Sequence, residues 1–186
     1  MEITITGPRS VGKSTVTKIV AKRLKLKYIS SDKIGEKALT KHGGLDKAIK
    51  SGIVKEILKE KGYTLINDIY RKKKNYVFDL SGGSISSTSL KEASEEVRDY
   101  ANKNSIVIGL LPSEDERESI KFLLEKEKER AHFKHLKHEE VLDMVKKHYS
   151  KFLPLFKTFC DYVVYTKDKT PETIADEIIK KVKSKA

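Results

Sequence analysis

Residues 7–14 read GPRSVGKS, which matches the pattern G-x-x-x-x-G-K-[ST] of a phosphate-binding loop. Glycines allow the backbone to wrap closely, so that successive N–H groups point inward at phosphate oxygens. In such a loop Lys13 would reach the β- and γ-phosphates, and the Ser14 hydroxyl would bind Mg²⁺. The stretch therefore predicts a site for a nucleoside triphosphate with magnesium.

The residues on either side of this loop follow the order strand, loop, helix that the pattern requires. Residues 2–6 alternate polar and apolar side chains, as a short strand does. Beyond the loop, apolar residues from Val16 to Leu24 recur at helical spacing. We expect the loop itself to bind the nucleotide, through Gly7, Arg9, Ser10, Val11, Gly12, Lys13, Ser14 and Thr15.

The composition is that of a compact globular protein. Of the 186 residues, 38% are hydrophobic and 35% are charged, which is enough for one domain with a real core. No apolar run approaches the ~20 residues needed to cross a bilayer, and no signal-peptide pattern follows Met1. The single cysteine, Cys160, excludes an internal disulfide and a cysteine-based zinc site. We therefore expect a cytoplasmic protein with no membrane partner.

The chain is strongly basic, with a formal net charge of +12. A basic chain can bind nucleic acid, but here the lysines are spread along the whole sequence without an arginine-rich or aromatic-interleaved tract. We interpret them as solvated helix faces, whose field also attracts ATP and anionic substrates. This interpretation predicts no nucleic-acid partner, and it leaves both a monomer and a homodimer open.

Strand and helix patterns alternate along the chain, which predicts an α/β fold with a parallel sheet. Two helix starts are predicted from a serine followed three residues later by a glutamate, at Ser89 and Ser113. Thr170-Pro171 predicts the start of the last helix. The five predicted strands are residues 2–6, 27–30, 75–80, 105–111 and 161–166.

Four landmarks in this order resemble the shikimate kinase-like branch of P-loop kinases, over essentially the full length. They are the P-loop at 7–14, Ser31-Asp32, Ser81-Gly82-Gly83, and a tail that runs from Pro154-Leu155-Phe156 to Thr170-Pro171. The resemblance implies a three-layer P-loop NTPase fold with a five-stranded parallel sheet, as a single domain over residues 1–186. It also implies a helical substrate-binding region at about 31–74, a mobile lid at about 113–138, and an adenine contact from Pro171. The implied cofactors are ATP and Mg²⁺, and the implied acceptor is a small molecule with a hydroxyl group.

The resemblance assigns a role to each acidic landmark. Asp32 matches the aspartate that meets the substrate hydroxyl, which it would orient and deprotonate; otherwise it is a helix N-terminal aspartate that complements the dipole. Asp79 ends an apolar strand and would bind Mg²⁺ with Ser14, or else only bond nearby backbone. Gly82 and Gly83 would let backbone amides approach the substrate, or form a flexible turn.

The predicted lid offers an arginine, Arg130, which would close over the phosphates and stabilise transition-state charge. Lys126 and Lys128 are alternatives for this role. Otherwise Arg130 only forms a surface ion pair with its neighbours on the helix. His132, His135 and His138 recur every three residues. On a helix this spacing spreads them too widely to bind one metal ion. We therefore expect the three histidines to belong to the lid or to face solvent.

The substrate region departs from the family pattern. Shikimate carries a carboxylate, which the planar fork of arginine suits, but no arginine lies between Arg23 and Arg71. Phe152 stands where the family has a second arginine, and we expect it to line the substrate pocket. We therefore predict an ATP-dependent kinase that is shikimate kinase-like but not shikimate-specific. The alternatives are shikimate kinase proper, with lysines replacing the arginines, a nucleoside or nucleoside monophosphate kinase, and a nucleotide-binding regulator or RNA-associated NTPase.

Overall fold

The computed structural model describes residues 1–40, 43, 47, 51–53, 56–57, 64–129 and 137–185. In this part of the chain five strands form one sheet in the order β2-β3-β1-β4-β5, and all neighbours are parallel. The five-stranded parallel sheet of the prediction is confirmed. The strands are Glu2–Thr6 (β1), Lys27–Ser30 (β2), Tyr76–Asp79 (β3), Ile106–Leu111 (β4) and Tyr162–Tyr165 (β5).

Helices connect the strands, as parallel pairing requires. Helix α1 packs against α9, and α3 packs against α5. The described helices are Lys13–Leu24 (α1), Ser31–Ala38 (α2), Thr64–Lys72 (α3), Gly82–Ser86 (α4), Lys91–Asn104 (α5), Glu116–Lys128 (α6), His138–Tyr149 (α7), Phe152–Phe159 (α8) and Pro171–Lys185 (α9).

Strand β1 is the centre of the sheet and leads directly into the P-loop. Alternation of this kind is typical of a strand with one solvated face, yet both Ile3 and Thr4 are fully buried. A central parallel strand is covered on both faces. The Thr4 hydroxyl lies 3.3 Å from that of Tyr70 and 2.7 Å from that of Ser105, so its polar group is satisfied inside the protein. This burial fixes the strand from which the P-loop emerges.

Two of the predicted helix starts are wrong in detail. Helix α5 begins at Lys91 without a side-chain cap, two residues after Ser89. Helix α6 is capped by Asp115, whose Oδ1 accepts a hydrogen bond of 2.9 Å from the Glu118 N–H. Ser113 instead donates its hydroxyl proton to the Glu118 side chain. An ionised aspartate is a stronger acceptor for a helix N-terminus than a serine hydroxyl is, and it moves the start of the helix.

Parts of the predicted substrate region and lid lie outside the described residues. This is so for Arg130, His132 and His135, whereas His138 is the first residue of α7. Helix α2 begins the predicted substrate region, and α6 lies within the predicted lid. Within the described ranges, no helix combines the length and apolar character needed for a membrane span.

Candidate active site

The P-loop has the backbone conformation of an anion-binding site. Ser10 and Gly12 both have left-handed backbones, with φ angles of 66° and 92°. Left-handed residues in a loop of this kind turn successive N–H groups toward one side, which forms a concave nest for an anion. Helix α1 begins at Lys13, immediately after the nest, so the positive end of its dipole points at the same place.

Gly7 is needed for a different reason, the close approach of two backbones. A Cβ at this position would lie 2.5 Å from the carbonyl oxygen of Leu110 in β4. Only glycine therefore lets the beginning of the P-loop pass this close to β4.

A cavity of about 560 Å³ opens over the P-loop. It lies at the carboxyl ends of parallel strands, where ligands of open α/β sheets bind. Most of its lining comes from three predicted segments, the P-loop, the start of α2 and the start of α4. The lining residues are Arg9, Ser10, Gly12, Lys13, Ser14, Thr15, Asp32, Ser81, Gly82, Gly83 and His148.

Ser31 connects the two predicted acceptor segments. Its hydroxyl donates to the carbonyl oxygen of Asp79 at 3.1 Å and accepts from the N–H of Ser81 at 2.8 Å. Ser31 is itself buried. This pair of bonds joins the first turn of α2 to the end of β3, and so holds Asp32 beside the loop that leads to Gly82.

Asp32 and Asp79 form a carboxylate pair near the P-loop. Asp32 is exposed to the cavity, whereas Asp79 is 4% exposed and accepts a hydrogen bond of 3.1 Å from the Tyr28 hydroxyl. Loss of hydration raises the pKa of Asp32, the Asp79 carboxylate raises it further, and the Lys13 ammonium acts in the opposite direction. Asp32 is therefore a stronger base than an ordinary surface aspartate.

Lys13 lines the same cavity as Asp32. Its Nζ donates to the carbonyl oxygen of Pro8 at 2.9 Å, so the ammonium group folds back over the P-loop. Its positive charge lowers the pKa of Asp32, against the effects of lost hydration and Asp79. The same cavity thus combines a cation for phosphates with a base for an acceptor.

Phe152 does not line the described cavity. Its side chain is fully buried in the first turn of α8, and it packs behind Gly82. A Cβ at Gly82 would lie 2.6 Å from the Phe152 ring and 2.6 Å from the carbonyl oxygen of Gly7. Phe152 thus packs against the first residue of α4, and glycine at position 82 lets α4 and the P-loop approach each other.

Two further predicted residues, Val11 and Pro171, lie outside the cavity lining. Val11 is buried under the loop, at 3% exposure. Pro171 is the exposed first residue of α9, where the Thr173 N–H donates to Thr170 Oγ1, as the predicted helix start requires. Its neighbour Glu172 accepts a hydrogen bond from Arg23 of α1 through its carbonyl oxygen. The geometry gives no contact between Pro171 and the described cavity.

His148, which sequence reasoning missed, lines the cavity from α7. Its Nε2 accepts a hydrogen bond of 3.3 Å from the Arg9 N–H, and its ring packs 5.2 Å from that of Phe152. Burial lowers the pKa of His148 to about 4, and the nearby charges of Arg9 and Lys13 act in the same direction. At neutral pH the imidazole is therefore uncharged, as its role as an acceptor requires.

We expect His148 to make the fold sensitive to acid. Its pKa is about 4 in the folded protein and near 6.5 when unfolded. Between these values only the unfolded chain binds the proton, so stability falls as pH is lowered through this window. From pH 7.5 to 4.5, the free energy of unfolding measured in urea should fall by about 2 to 3 kcal/mol more in the wild type than in His148→Gln.

The control for this measurement is His138→Gln, which changes an exposed histidine at the start of the same helix. It should lose stability as the wild type does, because an exposed side chain is hydrated in both states. If the wild type and His148→Gln lose stability in parallel, the buried neutral imidazole is not the cause.

Comparison with protein families gives a match over nearly the whole chain. A family model described as shikimate kinase matches residues 9–183. No curated protein matches the chain.

Solved structures share the fold at low identity. Shikimate kinase from Acinetobacter baumannii in complex with shikimate is 20% identical, with a TM-score of 0.64 over 99% of this chain and 93% of that one. Shikimate kinase from Bacteroides thetaiotaomicron is 14% identical, with a TM-score of 0.68 over 98% of both chains. Deoxyadenosine kinase from M. mycoides with dCMP and dCDP is 18% identical, with a TM-score of 0.55 over 100% of both.

These findings agree with the geometry of the site. The nest, the sheet order and the structural neighbours agree on a P-loop kinase fold, and the family match supports a phosphotransferase of the P-loop kinase type. The family model covers four of the five strands, β2 to β5, and nearly the whole chain. The chain therefore belongs to the shikimate kinase family.

Proposed function

We propose that the protein transfers the γ-phosphoryl group of ATP to a hydroxyl group of a small molecule other than shikimate. One observation carries this proposal: a single cavity joins the phosphate-binding nest to the carboxylate of Asp32. A nest alone would suit any nucleotide-binding protein. A base of raised pKa in the same cavity is what an acceptor hydroxyl needs.

The oxygen groups of the site fit a magnesium ion. Ser14 lines the cavity, and the buried carboxylate of Asp79, at the end of β3, contributes to the raised pKa of Asp32. Mg²⁺ prefers oxygen ligands of this kind. Ser14 and Asp79 would hold the ion, which when bound neutralises charge on the phosphates.

The protein groups would divide the reaction between them. Lys13 would leave the carbonyl oxygen of Pro8 and bind the β- and γ-phosphates, where it stabilises negative charge. Asp32 would orient the acceptor hydroxyl and accept its proton as the oxygen attacks phosphorus. The amides of Gly82 and Gly83 would bind the acceptor, and Arg130 would supply a further cation from the lid. Positioning and charge stabilisation do most of the work, without a covalent protein intermediate.

The acceptor side of the described cavity favours an uncharged molecule. Arg9 and Lys13, the two cationic residues of the described lining, both belong to the P-loop. The other polar side chains of the described lining are the Asp32 carboxylate, hydroxyl groups and the neutral His148. A carboxylate acceptor such as shikimate would meet the negative charge of Asp32, while the nearby Lys13 would be bound to the phosphates. Polyols and nucleosides avoid this repulsion, and a deoxyadenosine kinase shares the fold.

The decisive experiment is a coupled ADP-release assay with MgATP across polyols, sugars, nucleosides, nucleoside monophosphates and shikimate. Lys13→Ala supplies the blank rate. We expect at least one uncharged acceptor to exceed the blank, and shikimate to give the blank rate. A rate above the blank with shikimate alone would overturn the acceptor assignment. Blank rates with every acceptor would contradict the kinase reaction, and salt-sensitive RNA retention would then favour a nucleic-acid-associated NTPase.

A further inference from the structure

The P-loop is attached to α6 by a buried carboxylate, Glu127. Its Oε1 accepts a hydrogen bond of 2.9 Å from Arg9 Nε and one of 2.7 Å from the Ser10 hydroxyl. Glu127 is 2% exposed, although it belongs to a highly charged helix. Residues of this type are almost never fully buried unless they are paired. The attachment joins the P-loop to a helix that lies within the predicted lid.

The backbone of Ser10 explains what this attachment does. Ser10 has a φ of 66°, in the left-handed region that strains any residue with a Cβ. Glycine would adopt this conformation freely, yet the chain has a serine here. The hydroxyl of Ser10 provides what glycine lacks, a hydrogen bond to Glu127, and this bond offsets the strain of the nest.

A second contact holds the neighbouring residue from another helix. The Arg9 N–H donates to His148 Nε2 of α7, while the Arg9 side chain reaches Glu127 of α6. The remaining oxygen of the carboxylate, Glu127 Oε2, is buried and has no hydrogen-bond partner within the described ranges. Burying such an oxygen is costly, so the two bonds to Oε1 must compensate for it.

We propose that Glu127 is a positioning residue that holds the P-loop in its phosphate-binding conformation before nucleotide arrives. Glu127 touches no phosphate in this role, because it acts through Ser10 and Arg9. The choice of MgATP as ligand rests on the proposed function. The conformation of the loop without nucleotide does not depend on that function. The two ideas can therefore fail separately.

The first measurement is the Kd for MgATP by calorimetry, as a double-mutant cycle of Ser10→Ala and Glu127→Leu. Ser10→Ala keeps the strain and removes the hydrogen bond, and Glu127→Leu removes the acceptor at similar size. Each change should weaken binding by about tenfold. The Kd of the double variant should be no higher than that of the single variant with the higher Kd, since both changes remove the same bond. Additive losses would overturn the proposal.

The second measurement uses glycine to remove the strain. In the Glu127→Leu background, Ser10→Gly should recover most of the lost affinity, because glycine adopts the left-handed conformation without support. Glu127→Gln, which keeps a carbonyl oxygen as acceptor, should also recover most of it. If Glu127 only fills space in the core, Ser10→Gly will not restore affinity in the Glu127→Leu background, and that result would refute the positioning role.

The third measurement needs no nucleotide. Hydrogen exchange of the amides of residues 9–14 should be about tenfold faster in Glu127→Leu than in the wild type. Glu125→Leu is the matched control, because Glu125 is an exposed residue on the same helix. Unchanged exchange in Glu127→Leu would refute the proposal. If the wild type fails to bind MgATP but exchange rises as expected, the proposed function fails and the positioning role stands.

Discussion

Replacing Lys13 by alanine should lower the rate of phosphoryl transfer by about 1000-fold. The ammonium group stands at the first residue of α1, beside a nest that already concentrates positive potential. As the γ-phosphoryl group leaves ADP, negative charge grows on oxygens that this cation would contact. Steady-state ADP release with the acceptor found in the screen measures the effect.

The same substitution should weaken MgATP binding less than it slows turnover, by about tenfold to 100-fold. The nest amides stay in place and continue to bind the phosphates, so part of the affinity survives. Lys18→Ala is the matched control, because Lys18 is an exposed lysine farther along the same helix. Turnover of Lys13→Ala within tenfold of the wild type would contradict the role assigned to this residue.

The features that could be predicted from the sequence are those determined by residues close together in the chain. The P-loop and the strands depend on local spacing, and the strand ends were predicted to within one residue. The five-stranded parallel sheet also follows from the resemblance to a family. The predicted start of α6 is misplaced because two neighbouring side chains can cap a helix here: Ser113 Oγ accepts from the Asp115 N–H, whereas Asp115 Oδ1 accepts from the Glu118 N–H and sets the actual start.

The contacts that the sequence could not reveal join residues far apart in the chain. Glu127 lies 117 positions from Ser10, and His148 lies 139 positions from Arg9. In a segment as charged as α6, a glutamate is typical of a solvated face, and only the packing of the helix shows that this one is buried. The position of Phe152 is predictable from the family pattern, whereas its burial behind Gly82 depends on how α8 meets the sheet.

Replacing Asp32 by asparagine should reduce turnover by at least about 100-fold while MgATP affinity stays within about threefold of the wild type. Asparagine keeps the shape of the side chain and one acceptor oxygen, but it cannot take the proton of the acceptor hydroxyl. Glu36→Gln, one turn further along α2 on an exposed residue, should leave turnover unchanged. Equal losses in affinity and turnover would assign Asp32 to nucleotide binding instead.

The dependence of turnover on pH separates a base from a residue that only orients the acceptor. The pKa of Asp32 is raised by loss of hydration and by Asp79. The carboxylate must be ionised to accept a proton, so turnover should fall as pH is lowered through a pKa above that of an ordinary aspartate. Asp32→Asn removes the titrating group, and its residual rate should lack this fall. If the fall persists in Asp32→Asn, another group takes the proton, and orientation of the hydroxyl is what Asp32 contributes.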